Sequence, residues 1–169
     1  MNDLTNHPAP DPLEPGQESV WDYPRPPRLE ICTEHIEVYL GGVRIASTSQ
    51  SWRVLETSHP PNFYLPHSAF LTGALVATTG STWCEWKGRA SYFDVIGGES
   101  VAQRAAWTYR QPVATYGAIA GAIAVMPGTM ERCLVNGELV RAQSSGFYGG
   151  WITDQIVGPF KGGPGTNGW

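Results

Sequence analysis

The chain has 169 residues, of which 20 are glycine, 14 are proline and only 15% are charged. This length favours a single domain, and the excess of glycine and proline over charged residues favours a fold with many tight turns. The formal net charge of −4 excludes nucleic acid as an expected partner, because a phosphate backbone attracts basic surfaces.

Neither a membrane segment nor a secretory signal is visible in the sequence. The longest apolar stretch, 116–126, is interrupted by glycines and is shorter than the ~20 residues that a membrane-spanning helix needs. Residues 1–16 have neither a basic leader nor an apolar core. We therefore expect a cytoplasmic protein without a membrane partner.

The cysteines occur singly. Cys32, Cys84 and Cys133 form no Cys-x-x-Cys pair, and an odd number of such cysteines supports neither a disulfide framework nor a structural zinc site. We expect reduced thiols, and the sequence predicts no metal and no cofactor.

The N-terminal part is rich in proline. Residues 1–18 combine prolines with polar residues and almost no bulky apolar side chain, which predicts a disordered or loosely packed tail. Residues 19–30 place Trp21 and Tyr23 beside a second proline cluster, as is typical of an extended arm docked on a domain surface. The chain from 19 to 169, this arm included, is predicted to be one domain.

Beyond the arm, apolar and polar residues alternate in paired runs joined by turn residues, the pattern of β-hairpins. The predicted hairpins are 36–47 around Gly41-Gly42, 91–109 around Gly97-Gly98 and 132–141 around Asn136-Gly137. Further strands are expected at 52–57, 63–65 and 75–79, a short helix at 112–121 and a helical turn at 66–70. The sequence therefore predicts a mainly β fold of antiparallel, sandwich-like hairpins with one or two short helices.

Two segments combine reactive side chains with residues that restrict the backbone. In 55–66, Glu56 and His59 precede Pro60-Pro61, whose rings hold the chain extended. In 82–92, Cys84 and Lys87 are three residues apart and are flanked by Trp83 and Trp86. An ammonium group near a thiol favours the thiolate, which is the nucleophilic form.

Each of these residues also has a purely structural interpretation. Cys84 fits a small buried apolar residue, and His59 fits a side chain that bonds to its own loop. Glu56 would then be a solvated or paired surface carboxylate, and Lys87 the end of an exposed turn. The tryptophans and tyrosines would fill the core.

Four stretches of the sequence together resemble one protein family. They are 19–27, 55–61 with Tyr64 and Pro66, 84–92 and 106–109. They resemble the bacterial and fungal family catalogued as domain of unknown function 427 over about 19–169, which the resemblance implies is a single β-tent-like domain. The resemblance implies a β-tent fold. It places family motif positions at Glu56, His59, Tyr64, Cys84, Lys87, Gly88, Tyr92, Trp107 and Tyr109. Other β-tent proteins often hold zinc through paired Cys-x-x-Cys knuckles, which this sequence lacks. The nucleotidyltransferase-like label once given to the family finds no Gly-Ser signature with paired aspartates here.

The two segments favour a small-molecule pocket on the open face of the tent, with or without catalysis. In the catalytic version Cys84 or Lys87 is the nucleophile. His59 or Glu56 is then the general base, and Tyr64 donates a hydrogen bond to a carbonyl. The predicted ligand-binding residues are Tyr64, Tyr92, Trp86, Trp107 and Tyr109.

A non-catalytic scaffold or protein-interaction module is the first alternative. The glycine-rich C-terminal strap, 146–169, carries Trp151, Phe160 and Trp169. These aromatic residues would anchor the strap on the sheet or on a second subunit of a homo-oligomer.

A single metal ion is the second alternative. Glu56, His59 and Cys84 are acceptable ligand types, but their spacing does not require them to converge. The arrangement of the predicted residues in space therefore distinguishes these hypotheses.

Overall fold

The structure is a computed structural model that describes residues 7–169; residues 1–6 of the predicted tail lie outside this range. Within it the chain forms fifteen strands and four short 3-10 helices. The predicted mainly β class with only short helices is therefore confirmed. No helix among the described residues is both long and apolar enough to cross a membrane.

The strands are mostly short and are joined by turns. In chain order they are β1 (Glu18–Ser19), β2 (Arg28–Cys32), β3 (Ile36–Leu40), β4 (Val43–Thr48), β5 (Ser51–Leu55), β6 (Asn62–Tyr64), β7 (Leu75–Cys84), β8 (Gly88–Gly97), β9 (Ser100–Thr108), β10 (Ile123–Val125), β11 (Arg132–Val135), β12 (Glu138–Leu139), β13 (Arg141–Ala142), β14 (Trp151–Ile152) and β15 (Ile156–Val157). The 3-10 helices are Val20–Asp22, His67–Ala69, Ala114–Ile119 and Pro127–Thr129.

These strands form three larger sheets and two small ones. The strand orders of the larger sheets are β10-β9-β8-β7, β12-β11-β3-β4 and β2-β5-β6, and their pairs are antiparallel. The small sheets are the antiparallel pair β13-β14 and the parallel pair β1-β15. The pair β1-β15 joins the N-terminal arm to the strap.

The three predicted hairpins are present, with one turn displaced. Asn136 and Gly137 have φ of +49° and +81°, which a type I′ turn requires at both central positions. Gly41 and Gly42, at +60° and +78°, form the same kind of two-residue connection. The middle turn lies one residue later than predicted, because Gly97 still pairs with Ser100.

The reactive segment 82–92 forms the tip of a long hairpin between β7 and β8. The sequence places the end of the first strand at 79, before Gly80. Gly80 has a φ of +87° and lies where the register shifts between Ala77 and Ser81, after which the strand continues to Cys84. The glycine therefore makes a bulge rather than a strand end.

The helical predictions are correct in place but not in length. The segment 112–121 contains only the 3-10 helix Ala114–Ile119, which is broken by non-helical dihedral angles at Tyr116. The apolar stretch 116–126 overlaps this segment, and its end forms β10, a strand that was not predicted from the sequence. A continuous apolar run does not distinguish a buried strand from a buried helix. The turn at 66–70 is confirmed as His67–Ala69.

Most of the core lies between the sheets. One cluster includes Ile36, Ile45, Leu65, Val95 and Trp151, all with side chains at most 1% exposed. A second cluster is aromatic and lies beneath the candidate site described below. Its fully buried members include Tyr64, Tyr116 and Ile119.

The N-terminal segment is anchored from residue 11 onward. Asp11 N donates to Gly158 O at 3.0 Å, and the backbone of Glu18 pairs in β1 with the strap. The carboxylate of Glu18 also accepts from Arg53 Nη1 at 2.6 Å, and the same guanidinium binds Glu30 at 2.6 Å. The division into a tail and a domain at 18/19 stays a prediction.

Candidate functional site

A cavity of about 430 Å³ lies between the β7–β8 hairpin tip, the loop that follows β5 and the C-terminal strap. Its wall includes every side chain predicted from the sequence except Trp86: Glu56, His59, Tyr64, Cys84, Lys87, Tyr92, Trp107 and Tyr109. Trp86 instead packs on the second core cluster. The two reactive segments therefore meet on one cavity.

The loop that carries Glu56 and His59 is fixed from both sides. His59 N donates to Glu56 O at 3.0 Å, which closes a tight turn. Ser58 between them has a φ of +73° and is fully buried. Its N–H binds Val20 O in the arm, and its carbonyl accepts from Lys161 N in the strap. The loop therefore takes its shape from both ends of the domain.

The turn between β7 and β8 places Cys84 and Lys87 at its two ends. Cys84 pairs with Gly88, and Lys87 O accepts from Val113 N at 3.0 Å. The Lys87 side chain is only 7% exposed, so its interpretation as the end of an exposed turn is wrong. Cys84 is half-buried on the cavity, whereas Cys32 and Cys133 are buried in the core.

Gln143, a residue that the sequence reading did not select, orients the His59 imidazole. Gln143 Oε1 accepts from Gly150 N at 3.1 Å, which directs the amide nitrogen to the other side. There Gln143 Nε2 donates to Lys161 O at 2.6 Å and approaches His59 Nδ1 at 3.2 Å. Nδ1 is therefore the acceptor, and the ring proton of neutral His59 lies on Nε2.

Burial and the cations around His59 keep it neutral. Burial, together with the cations Lys161, Arg25 and Lys87, lowers the pKa of His59 from 6.5 to about 4. The proton on Nε2 faces Glu56 Oε2 at 3.6 Å. Because the single free lone pair of His59 is used by Gln143, His59 acts as a hydrogen-bond donor toward the cavity.

Glu56 is the partly buried carboxylate of the cavity wall, which also includes the exposed Glu85. Its Oε2 lies 3.7 Å from Arg25 Nε and 3.6 Å from His59 Nε2, and its side chain is 24% exposed. Arg25 is held in turn by the carbonyl of Thr57 at 3.0 Å. A carboxylate with one ion pair and partial access to the cavity retains lone pairs for a proton transfer.

The tyrosines at the base of the cavity are hydrogen-bond donors. Trp107 Nε1 donates to Tyr64 Oη at 3.0 Å, which leaves the hydroxyl proton of Tyr64 for another acceptor. Burial is the main cause that raises the pKa of Tyr64 and of Tyr109 far above the ordinary value. Both hydroxyls therefore stay protonated in the physiological range.

The rim is formed by aromatic and cationic side chains. The Arg104 guanidinium lies 4.5 Å above the ring of Tyr92, and Tyr92 Oη contacts Thr82 Oγ1 at 2.6 Å. Tyr148 of the strap packs its ring edge-on against His59 with centroids 4.7 Å apart. A side chain at Gly149 would collide with the ring of Trp107, so glycine allows the strap to approach the cavity.

The sequence reading missed several residues of the wall and its support: Asn62, Arg104, Gln143, Tyr148 and Lys161. Those on the strap are distant in sequence from the two loops, and nothing in their spacing connects them. The pair Gly149-Gly150 was the available signal, because adjacent glycines outside a turn mark a close approach of the backbone to other atoms.

The metal alternative finds no support in residues 7–169. Within this range no three His, Cys, Asp or Glu side chains are arranged to hold a metal ion. His59 Nδ1 is bonded to Gln143, and Glu56 is paired with Arg25. Glu56, His59 and Cys84 therefore share a cavity without forming a ligand set.

Comparison with curated proteins finds no match for the chain. Residues 28–136 match the protein family described as Domain of unknown function (DUF427). This segment covers more than half of the chain and contains both loops of the cavity, whereas the strap follows it. The motifs in the sequence suggested the same family, and the chain therefore belongs to the DUF427 family.

Proposed function

We propose that the cavity is a binding site for a small molecule. The observation that carries the proposal is that Glu56, His59, Tyr64, Cys84 and Lys87, from two separate segments of the chain, line one cavity of about 430 Å³. Ligand sites have volumes of roughly 300–1,000 Å³ and combine apolar walls with a few convergent polar groups. This cavity fits that description.

An orphan polar atom supports the same conclusion. Asn62 Oδ1 is buried and has no hydrogen-bond partner among the described residues, and Asn62 belongs to the wall of the cavity. Buried polar atoms are normally paired. A ligand that donates a hydrogen bond to Asn62 would remove this cost.

If the ligand reacts, the geometry of the cavity supports a separate chemical role for each of three residues. Cys84 is the nucleophile, because it is the cysteine on the cavity and lies across the turn from the Lys87 ammonium. Glu56 is the general base, because the accepting lone pair of His59 is committed to Gln143. Tyr64 donates to a carbonyl oxygen.

The strap supports a pocket rather than an intersubunit contact. Trp151 is 1% exposed in the core, and Phe160 packs on the cluster around Val20. The ring of Trp169 lies 5.8 Å from that of Trp21. These anchors bind within their own chain and hold Tyr148 and Lys161 on the cavity.

A binding experiment tests the pocket directly. A library of neutral aromatic fragments is screened by ligand-observed NMR against the native protein and against protein capped at Cys84 with iodoacetamide. We expect fragments that bind the native protein and lose binding after capping. The matched control is Cys84→Ser treated with the same reagent, which should retain these fragments. A screen in which capping removes no binder would contradict a ligand site here.

The alkylation itself is a second prediction. Native protein treated with iodoacetamide should react at Cys84 about tenfold faster or more than at Cys133, because only an accessible thiol can be attacked. Peptide mass spectrometry over time measures the two rates. In denaturant the rates should become similar, and equal rates in the native protein would show that Cys84 does not open on the cavity.

A further inference from the structure

We propose that the ligand of this cavity is a small aromatic carboxylate whose anionic group is bound by Lys87. This inference rests on the proposed function and adds the chemical class of the ligand. It follows from three features of the wall: an unpaired ammonium group on a largely buried lysine, a neutral imidazole donor and flat aromatic surfaces.

Lys87 carries a charge that the described chain does not neutralise. Its side chain is 7% exposed, yet within residues 7–169 its Nζ forms neither a hydrogen bond nor an ion pair. Its nearest aromatic contact is the ring of Tyr109, 5.6 Å from Nζ. Nζ is not among the fully buried unpaired polar atoms, so the ammonium group opens onto the cavity. A charge on a largely buried side chain is screened less by solvent than one on the surface, so an anion in the cavity would gain more from Lys87 than from an exposed lysine.

The acidic side chains near Lys87 are either paired with another cation or exposed to solvent. The Glu56 carboxylate lies 3.7 Å from the Arg25 guanidinium. Glu85, in the turn itself, also lines the cavity but is exposed to solvent, as is the cation Arg104 on the same wall. Lys161, on the opposite wall, adds a second cation and donates through Nζ to Trp169 O at 3.2 Å. The field in the cavity is thus set by more cationic than anionic groups.

Burial is the largest cause of the depressed pKa of His59, and the same cations add to it. Lys161, Arg25 and Lys87 all contribute to holding that ring neutral. The same potential that disfavours a second proton on His59 favours an anion in the cavity. His59 Nε2–H is 3.6 Å from Glu56, too far for a strong hydrogen bond, so it can donate to a ligand oxygen.

The remaining surface of the cavity favours a ligand with a flat, apolar ring. Trp107, Tyr109 and Tyr148 present rings to the cavity, and rings of this kind stack on or pack edge-on against aromatic ligands. A single ammonium group with one imidazole N–H matches the charge of a carboxylate. A dianionic phosphate would need further free donors at the same point.

Benzoate and benzamide form a matched pair for the test, because they share a shape and differ in charge. Their affinities for the native full chain are measured by ligand-observed NMR, with phenyl phosphate as a third compound. We expect benzoate to bind about tenfold more tightly than benzamide, since a charge-assisted hydrogen bond is about twice as strong as a neutral one. In Lys87→Met the two affinities should become equal, while Lys87→Arg should keep the preference for benzoate.

The outcomes separate the ligand class from the site. Equal binding of benzoate and benzamide to the native protein would overturn the carboxylate while leaving the pocket in place. A preference for phenyl phosphate over benzoate would also overturn it. If Lys87→Met unfolds, the native comparison and Lys87→Arg still decide. If none of the three compounds binds, and capping Cys84 displaces no neutral fragment, both the inference and the proposed function fail.

Discussion

Replacing Trp151 by alanine should lower the free energy of unfolding by about 4 kcal/mol, a typical loss when a large buried aromatic side chain is removed. Trp151 is 1% exposed, and its ring packs against Phe63 with centroids 4.8 Å apart. Its indole N–H also points to Val125 O at 3.4 Å. Urea unfolding of the variant and the native protein measures the difference.

Trp151 also connects the strap to the candidate site, and its buried indole fixes the backbone that makes this connection. Its backbone N–H donates to Pro61 O at 2.8 Å, in the loop that carries His59. Fragment binding at the cavity should therefore weaken together with stability. No other residue of the strap combines a core position with a bond to that loop in the part of the chain that the structure describes.

Trp83 provides the matched control. It is 73% exposed on the rim of the cavity, so Trp83→Ala should change the free energy of unfolding by less than about 0.5 kcal/mol. Trp151→Phe keeps a ring in the core and should cost much less than Trp151→Ala. If Trp83→Ala and Trp151→Ala were equally destabilising, the strap would not be anchored through Trp151.

The local part of the fold could be predicted from the sequence. Two hairpins could be predicted from their turn residues, Asn136-Gly137 and Gly41-Gly42. These residues adopt the positive φ values that are needed where the chain reverses. The turn at Gly98 was displaced by one residue because two adjacent glycines satisfy either register. The bulge at Gly80 was misread as a strand end because a glycine gives the same signal for both.

The site could be predicted only as far as its loops are local. Pro60-Pro61 and Gly88 marked the two segments whose side chains converge on the cavity. The contributions of Gln143 and Lys161 were missed, because they reach the cavity through pairings between the strap and distant elements. Trp86 was assigned to the wall by its position beside Cys84, but its side chain turns toward the core.

Acidification should destabilise the native protein through His59 before the carboxylates begin to titrate. The native structure keeps this ring neutral with a pKa of about 4, against 6.5 in the unfolded chain. Between these values the unfolded state binds more protons, so stability falls as the pH falls. The contribution is fully present above pH 6.5, and we expect a loss of about 2 kcal/mol between roughly pH 7 and pH 5.

His59→Gln isolates this contribution, since it removes the titrating ring and leaves every other ionisable group in place. Urea unfolding at a series of pH values should show that the native protein loses about 2 kcal/mol more than His59→Gln over the same interval. The matched control is His67→Gln, at an exposed histidine, which should keep the native pH dependence. If His59→Gln lost stability as steeply as the native protein, the imidazole would have to accept a proton readily in the folded state. The hydrogen bond from Gln143 to Nδ1 would then be absent, and His59 rather than Glu56 would be the general base of the cavity.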